Sequence, residues 1–236
     1  MKCKFCGKDY VEKELNVCGS IKVIAVAQCN CIDEQEEIER QQKIIELKKE
    51  KIKKLISNSM MTPFFQKKKF ENVTESKIIN DCKNYAEKFK TAKNITKGIS
   101  FIGDVGTGKT TALACLCNDL IENGYSCIFT TFSELLNKIS DYSYNHAGNI
   151  NTMLDDICKC DLVCIDDIGR ETYTDRRKEF AFMVIDRLMN YEIPVCITAN
   201  TNMFQKLLQI EEWQAIIDRL RDMTIIIPVN GKSLRG

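Results

Sequence analysis

Short apolar runs that suit buried strands alternate with longer segments of helical periodicity over most of the chain. The apolar runs predict strands at residues 99–102, 126–131, 162–167, 194–198 and 224–229. The periodic segments predict helices at residues 76–92, 111–120, 133–139, 153–158, 175–191, 203–208 and 211–221. Strands that alternate with helices are typical of a parallel sheet with helices on both faces. The pattern therefore predicts an α/β fold with three layers, in the order αβα.

A long amphipathic segment precedes this alternating region. Residues 32–57 carry glutamates near their start and lysines near their end, which suits the dipole of a helix. A narrow apolar stripe runs along this segment: Ile38, Ile45, Ile52, Leu55 and Ile56. A solvated linker helix and a docking surface for a partner are both consistent with the stripe.

A boundary follows the predicted linker helix. Pro63 interrupts the pattern, and the three consecutive lysines 67–69 come next. Such a run is usually just exposed, and contact with nucleic acid is the alternative. The sequence therefore predicts three parts: a cysteine-rich module at 1–31, a linker helix at 32–57 and a compact domain at 58–236.

Length and charge limit the possible functions. A chain of 236 residues can hold one α/β domain and a small extra module. The 34 basic and 33 acidic residues leave a formal net charge of +1, which argues against a surface that is basic all round. No apolar run approaches the length of a membrane span, so we expect no membrane partner. The 13 cysteines, several inside apolar strand segments, suit the reducing cytoplasm.

The predicted N-terminal module carries a separate cysteine pattern. Cys3 and Cys6 form a CxxC pair followed by glycine, and Cys29 and Cys31 form a CxC pair. Two close pairs joined by a short β-like segment can bind Zn²⁺ tetrahedrally through four thiolates. Cys18 lies between the pairs and could replace one ligand. So short a segment cannot bury an adequate core, so a metal would supply its stability. Free or redox-active thiols in an unstructured tail are the alternative.

The most informative motif lies between the predicted strand at 99–102 and the helix that follows. Residues 103–110 read GDVGTGKT, which fits the GxxxxGKT phosphate-binding loop of P-loop NTPases. Glycines and the helix start let backbone N–H groups point at phosphate oxygens. Lys109 is predicted to reach the β- and γ-phosphates of ATP, and the Thr110 hydroxyl to ligate Mg²⁺. The predicted nucleotide-binding residues are Gly103, Asp104, Val105, Gly106, Thr107, Gly108, Lys109, Thr110, Thr111 and Asp166.

The apolar run at 162–167 ends in two aspartates, which is the Walker B pattern. A buried central strand would place both carboxylates beside the phosphate loop. Asp166 is predicted to hold Mg²⁺ together with Thr110, and Asp167 to polarise the attacking water. Asn200 ends the next apolar strand and is predicted to orient the same water.

Charge that builds up on the γ-phosphate during transfer requires nearby cations. Arg219 lies late in a predicted helix and Arg235 lies in the last residues given, so both are candidates by position. A surface salt bridge with the adjacent Asp218 is the alternative for Arg219. Arg187 and Arg221 are the reserve candidates.

These motifs together resemble those of the bacterial and phage replicative-helicase loaders, the DnaC/DnaI-like AAA+ ATPases. The residues that carry the resemblance are the phosphate loop, Asp-Asp-Ile-Gly at 166–169, Asn200, Asp-Arg-Leu at 218–220 and Gly-x-Ser-x-Arg at 231–235. A cysteine-rich N-terminal module joined by a helix is also similar to that family. The resemblance is strong from about residue 99 to 235 and looser before it.

The resemblance implies an AAA+ domain that self-associates and hydrolyses ATP at the interfaces between subunits. It also implies docking of the N-terminal module on a hexameric replicative helicase, which is then placed on single-stranded DNA during replication initiation. Arg219 would match the arginine finger that acts on a neighbouring subunit, and Arg235 the sensor 2 position. Asp167 departs from the family pattern, since AAA+ enzymes commonly carry glutamate there, so slow hydrolysis is expected.

Two other functions remain open at this point. Transposition-helper ATPases share this core, although they usually lack an N-terminal thiolate cluster. A nucleotide-binding adaptor with negligible hydrolysis would also be consistent with Asp167.

Single-stranded DNA contacts are placed around Phe132, Lys138, Tyr142 and Tyr144, where aromatic rings could stack on bases. The stretch at 141–151 is predicted to be irregular, and an ordinary polar loop without DNA contact is the alternative.

Overall fold

The structure is a computed structural model. It describes residues 2–17, 20–92, 94–146, 149–169, 174–231 and 233, and the side chains of these residues except Ile32 and Glu212. The chain divides into two compact units, residues 1–51 and 52–236, and this division falls within one long helix.

The first unit contains a β-hairpin and most of the long helix. Strands β1 (Tyr10–Val17) and β2 (Ser20–Ala27) pair antiparallel, and helix α1 (Cys31–Asn58) follows them. Most of the hairpin is solvent-exposed on both faces. Cys3 is the one buried hydrophobic residue among the described residues of this unit. Apolar burial alone therefore contributes little to the stability of the first unit.

The second unit is built on a five-stranded parallel sheet. Its strands are β3 (Gly98–Gly103), β4 (Cys127–Thr131), β5 (Leu162–Ile168), β6 (Val195–Asn200) and β7 (Thr224–Val229). They lie side by side in the order β4-β5-β6-β3-β7. The helices of this unit are α2 (Pro63–Gln66), α3 (Lys77–Thr91), α4 (Lys109–Glu122), α5 (Phe132–Asn145), α6 (Asn151–Ile157), α7 (Asp175–Asn190), α8 (Thr201–Leu208) and α9 (Glu211–Met223), with a 3₁₀ turn at Phe70–Asn72.

Two hydrophobic cores cover the two faces of this sheet. In β5, Val163 and Ile165 pack into the core beneath α5 to α9, and Leu162 and Cys164 pack into the core beneath α3 and α4. Alternate residues of a strand face opposite sides, so a strand buried on both faces needs the continuous apolar run that the sequence shows. The predicted three-layer αβα fold is therefore confirmed.

Helix α5 is longer than the sequence predicted. It continues through Asn145, so the predicted end at 139 is wrong, and the irregular stretch predicted from 141 begins only after residue 145. The buried residues Phe132, Leu135, Leu136, Ile139 and Ser143 share one face at helical spacing. The small polar side chain of Ser143 continues this face without an apolar signal in the sequence.

Among the described residues, no helix combines the length and the apolar character needed to cross a bilayer.

Candidate functional site

The phosphate loop connects β3 to α4 and folds on itself. Gly106 and Gly108 have φ angles of 84° and 86°, which only glycine adopts readily, and Gly108 directly precedes the first residue of α4. The Thr107 hydroxyl donates to the Asp104 carbonyl at 2.9 Å. A side chain at Gly106 would also collide with Ser233, whose Oγ lies 2.3 Å from the place of a Cβ. The loop is therefore concave and depends on glycine at residue 106.

The Lys109 ammonium lies against the carbonyls of the same loop. Its Nζ donates to the carbonyl oxygen of Gly103 at 2.8 Å and of Asp104 at 2.5 Å, and approaches Thr107 Oγ1 at 3.3 Å. These contacts place a positive charge at the start of α4, where backbone N–H groups also favour an anion.

Asp166 is buried beside this loop and contacts two threonines. The Thr198 hydroxyl donates to Asp166 Oδ1 at 2.6 Å, and the Thr110 side chain lies near enough to the carboxyl group to lower its pKa. Burial raises the pKa of Asp166, and the hydrogen bond from Thr198 and the nearby Thr110 side chain partly oppose this shift. The two predicted Mg²⁺ ligands, Thr110 and Asp166, are therefore adjacent.

Asp167 has an unusual backbone conformation. Its φ angle is 62°, and the pairing of β5 with β6 shifts register between Ile165 and Ile168. The Asp167 N–H donates to the Thr198 hydroxyl at 2.8 Å. A bulge that holds a non-glycine residue at positive φ re-aims its side chain, and Asp167 lines the adjacent cleft.

Thr198 was missed in the sequence analysis although it contacts both aspartates. It lies on β6, which neighbours β5, and it is buried. A hydroxyl inside an otherwise apolar strand next to the Walker B strand was the signal available.

Asn200, at the end of β6, also lines the cleft, and its Oδ1 accepts from the Asn202 N–H at 3.0 Å. This hydrogen bond caps the start of α8 and uses the amide oxygen of Asn200. The amide nitrogen is therefore the atom available to orient a water.

A cleft of about 430 Å³ joins these groups. One wall consists of phosphate-loop and strand-end residues: Val105, Gly106, Thr107, Gly108, Lys109, Thr110, Thr111, Asp167, Thr198 and Asn200. The other wall comes from the chain before β3: Lys68, Asn72, Val73, Thr74, Ser76, Ile78 and Ile79. The volume suits a small organic ligand. The second wall was missed because its residues lie about 30 positions before the motif and form no recognisable pattern.

Arg219 lies outside the lining of this cleft. Arg219 Nε donates to Asp186 Oδ1 at 2.9 Å, and its guanidinium lies 4.4 Å from the centre of the Phe182 ring. In the described part of the chain, Arg219 does not line the cleft of its own subunit. Its predicted alternative partner, Asp218, instead lies 3.4 Å from Arg221.

Of the other two arginine candidates, Arg187 has partners in its own subunit and Arg235 is not described. Arg187 pairs with Asp155 at 2.5 Å and donates to Asn151 Oδ1 at 2.8 Å, so this reserve candidate has an evident structural role. Arg235 lies outside the described residues.

The four predicted zinc ligands meet in the first unit. The sulfur atoms of Cys3, Cys6, Cys29 and Cys31 all lie within 4.8 Å of one another. A tetrahedral Zn²⁺ with bonds of about 2.3 Å requires sulfur atoms about 3.8 Å apart, so the cluster fits this metal. Cys18, the predicted substitute, lies outside the described residues.

The backbone of this cluster favours a thiolate at Cys3. The N–H groups of Cys6 and Phe5 hydrogen-bond to the Cys3 sulfur and lower the pKa of this thiol to about 7. Gly7 follows in a left-handed conformation, with φ 73°, and its N–H donates to the Cys3 carbonyl at 2.9 Å. The pKa of Cys31 is raised to about 12, chiefly because of the Cys6 and Cys29 thiols beside it. Crowded thiols of this kind lose their protons when a cation binds them.

One of the residues predicted to contact DNA is buried. Phe132 is fully buried and meets the Trp213 ring edge-on, so its predicted role is wrong. Tyr142 stacks on His146, with ring centres 3.8 Å apart, and Lys138 lies 3.9 Å from Glu134. Tyr144 is 85% exposed.

The sequence is similar to a known protein family and to known helicase loaders. The family model described as "IstB-like ATP binding protein" matches residues 26–236. The replicative helicase loader DnaC of Escherichia coli K12 is 27% identical over 176 residues, which cover 72% of this chain and 70% of that protein. The resemblance to the helicase loaders that the motifs predicted is confirmed.

Solved structures of loaders share the fold. A crystal structure of DnaI matches with a TM-score of 0.59 and 23% identity, over 74% of this chain and 94% of that one. A crystal structure of the DnaC helicase loader matches with a TM-score of 0.60 and 16% identity, over 72% of this chain and 100% of that one. At these identities the structural matches establish the fold alone.

Proposed function

We propose that this chain, which belongs to the family of IstB-like ATP binding proteins, is an ATPase that loads a hexameric replicative DNA helicase onto single-stranded DNA. The sequence similarity to the loader DnaC supports the choice of client. The observation that carries the ATPase is that Thr110, which lines the phosphate-loop end of the cleft, neighbours the buried Asp166 carboxyl group.

Binding of ATP places its phosphates over the concave loop, where Lys109 exchanges the loop carbonyls for phosphate oxygens. This exchange is favourable because a hydrogen bond between two charged groups is stronger than one to a neutral carbonyl. Mg²⁺, held by Thr110 and Asp166, would neutralise charge on the β- and γ-phosphates.

Hydrolysis then requires an oriented water on the far side of the γ-phosphate. Asp167 accepts a hydrogen bond from this water, and the Asn200 amide N–H donates to the water oxygen. The water oxygen bonds to the γ-phosphorus while the bond to the β-phosphate oxygen breaks, which yields ADP and phosphate. The water protons pass to Asp167 and to the phosphate formed.

Self-association would supply the arginine that this cleft lacks among the described residues. Arg219 is anchored to Asp186 on the surface formed by α7 and α9, with 28% of its side chain exposed. We assign it as the finger that enters the cleft of a neighbouring copy, where an arginine stabilises the transition state. Arg235 is proposed to act as sensor 2 within its own subunit.

The first unit is proposed to bind Zn²⁺ through its four clustered cysteines and to dock on the helicase. Its hairpin exposes several large apolar side chains: Val11, Leu15, Val17, Ile21, Val23 and Ile24. Exposed apolar groups at this density favour a protein partner. The bound nucleotide would control this interaction and contact with single-stranded DNA, for which Lys138, Tyr142 and Tyr144 are the candidates.

Native mass measurement of the full chain mixed with a hexameric replicative helicase tests the loader function. We expect a complex with ATP that weakens with ADP, and faster assembly of the helicase on a circular single-stranded DNA. If no complex forms with either nucleotide, the proposed loader function is contradicted. The proposed ATPase activity would then be tested separately by measuring ATP hydrolysis.

The family match also supports a second candidate, a transposition-helper ATPase. A pull-down that offers a replicative helicase and a transposase in equal amounts separates the two functions. The third candidate, an adaptor with negligible hydrolysis, predicts nucleotide binding without single-turnover cleavage in the presence or absence of single-stranded DNA.

A further inference from the structure

The hairpin of the first unit has one face that carries lysines. Residues that pair directly across two antiparallel strands point to the same face, and successive residues of a strand point to opposite faces. The register pairs Lys13 with Ile24 and Leu15 with Lys22, so these four side chains share a face. We call it the basic face, and its members are Val11, Lys13, Leu15, Val17, Ser20, Lys22, Ile24 and Val26.

The opposite face of the hairpin carries glutamates. The register pairs Glu12 with Ala25 and Glu14 with Val23, which places both carboxylates on this second face. We call it the acidic face, and its members are Tyr10, Glu12, Glu14, Asn16, Ile21, Val23, Ala25 and Ala27. The hairpin therefore separates its charged side chains by sign.

These charges have no partner of opposite sign in the described part of the chain. Lys13, Lys22, Glu12 and Glu14 are all exposed, and none of them takes part in an ion pair with another described residue. A lysine and a glutamate on opposite faces of one hairpin cannot reach each other across the strands. Each face therefore keeps a charge that a second surface can neutralise.

Both faces also expose large apolar side chains. On the basic face these are Val11, Leu15, Val17 and Ile24, and on the acidic face they are Ile21 and Val23. The apolar groups favour burial against a protein, and the charges determine which surface fits. A surface that complements each face already exists on this chain, because it is the other face of the same hairpin.

The positions of the charges along β1 match in one simple arrangement. When two hairpins stack in the same orientation, the basic face of one meets the acidic face of the next at a sheet separation of about 10 Å. Position 13 lies between positions 12 and 14 along the strand, so Lys13 then lies opposite the gap between Glu12 and Glu14 of the second copy.

Strand β2 continues this match. Position 22 lies between positions 21 and 23, so the aliphatic stem of Lys22 packs on Ile21 and Val23 of the second copy. Val23 pairs with Glu14 across the hairpin, which brings the Lys22 ammonium close to that carboxylate in the stack. The same orientation therefore pairs the charges and buries the apolar groups.

One such contact is small. Each strand has eight residues, so a face is about 27 Å long and about 10 Å wide, and it buries far less than the roughly 800 Å² per partner of a stable interface. The contact is therefore weak by itself. It gains strength where copies are already linked through another interface, because linkage raises the effective concentration to about the millimolar range.

We propose that the hairpin is a self-association element, in which the basic face of one copy binds the acidic face of the next. Because the two surfaces differ, the contact is heterologous, and a stacked pair keeps a free face at each end. The inference does not depend on ATP binding, since the proposed contact through Arg219 is a separate interface. A helicase would compete with the second copy for the same apolar side chains.

Sedimentation of the full chain without nucleotide tests this proposal. We expect the mean mass of the wild type to rise with concentration at about 0.1–1 mM, as a small interface requires. We also expect the mass to fall when salt is raised from about 0.05 M to 1 M, because salt screens exposed charges. A wild type that stays monomeric over this range would overturn the proposal without any variant.

A charge swap identifies the two faces. Lys13→Glu with Lys22→Glu makes both faces acidic, and Glu12→Lys with Glu14→Lys makes both faces basic. Each double variant should stay monomeric. An equimolar mixture of the two should associate again, because faces of opposite sign then meet. A mixture that stays monomeric, or double variants that associate as the wild type does, would overturn the proposal.

Lys43→Glu with Lys48→Glu is the matched control, since it makes the same change of charge at exposed positions of α1. It should associate as the wild type does, and loss of association here would show that net charge, and not the hairpin, is responsible. A helicase complex formed by a wild type that never self-associates would overturn this inference and leave the proposed loader function intact.

Discussion

The Thr198 hydroxyl donates to Asp166 Oδ1 at 2.6 Å. It also accepts the N–H of Asp167 at 2.8 Å, so one hydroxyl joins the proposed metal ligand to the proposed water-orienting carboxylate. Since a hydroxyl has one donor and two acceptor positions, Thr198 fixes the relative position of these two groups.

Thr198→Val keeps the shape of this side chain and removes its hydroxyl. We expect single-turnover ATP hydrolysis to slow about tenfold, because Asp166 and Asp167 each lose a hydrogen bond, with ADP affinity changed by less than about twofold. Thr130→Val, on the neighbouring part of the sheet but outside the cleft lining, is the control. Equal rates for the two variants would show that Thr198 is structural.

Asp167→Asn keeps the side-chain size and removes the charge that polarises water. We expect hydrolysis to fall about 100-fold or more, since general-base catalysis has this magnitude, while ATP binding is retained. Rapid-quench measurement with bound ATP checks this. Undiminished hydrolysis by Asp167→Asn would move the catalytic role to another residue.

Asp166→Asn should raise the thermal stability of the nucleotide-free protein at neutral pH. Burial raises the pKa of Asp166 in the folded state, so folding is penalised increasingly as pH rises from its usual value of 3.8 towards the raised value. The amide carries no such penalty, and the difference should vanish at acid pH where the carboxyl is protonated in both states. Calorimetry across pH measures this, and Mg²⁺ with ADP should stabilise the wild type more than the variant.

Cys6→Ser should release zinc and unfold the first unit. A structural Zn²⁺ contributes about 10–16 kcal/mol to such a module, far more than its sparse apolar burial can. Metal analysis should find one zinc per wild-type chain, and hydrogen exchange should show loss of protection in β1 and β2 of the variant. Cys160→Ser, a half-buried thiol in the second unit, is the control that should retain the metal. A hairpin that stays protected after chelation would contradict the zinc site.

Arg219→Ala should lower hydrolysis by about 10³-fold while nucleotide binding is retained. Because the proposed finger acts on a neighbouring copy, mixing Arg219→Ala with Lys109→Ala subunits should restore part of the activity. Neither variant alone should be active. Arg221→Ala, whose side chain pairs with Asp218 in the same helix, serves as the control. A mixture that stays inactive would argue against action between subunits.

The sequence predicted the strands and the phosphate loop because each depends on local composition. The run at 162–165 is apolar throughout because both faces of the sheet are covered. Gly106 is needed because its φ angle is positive. Each cysteine pair was predictable for the same reason, as CxxC and CxC spacing brings two sulfurs together. In these features few neighbouring residues determine the geometry, whereas the meeting of the two cysteine pairs depends on the β-hairpin between them.

Features that depend on distant partners were not predictable. Thr198 is significant because β6 lies beside β5, and the buried Asn118 because it donates to the Phe65 and Lys68 carbonyls, about 50 residues earlier in the chain. Phe132 was misplaced for this reason, since its partner Trp213 lies far along the chain. No single residue in the sequence indicated which distant residue it would contact.

The backbone at Asp167 has a consequence for engineering. At a φ angle of 62°, aspartate is among the better tolerated side chains, and the chain also holds a glutamate, Glu192, at a φ of 53°. Restoring the glutamate common in AAA+ enzymes would therefore mainly lengthen the acid and displace its carboxylate. We expect that a faster motor would need the turn reshaped around the longer side chain, so that the carboxylate returns to the same place.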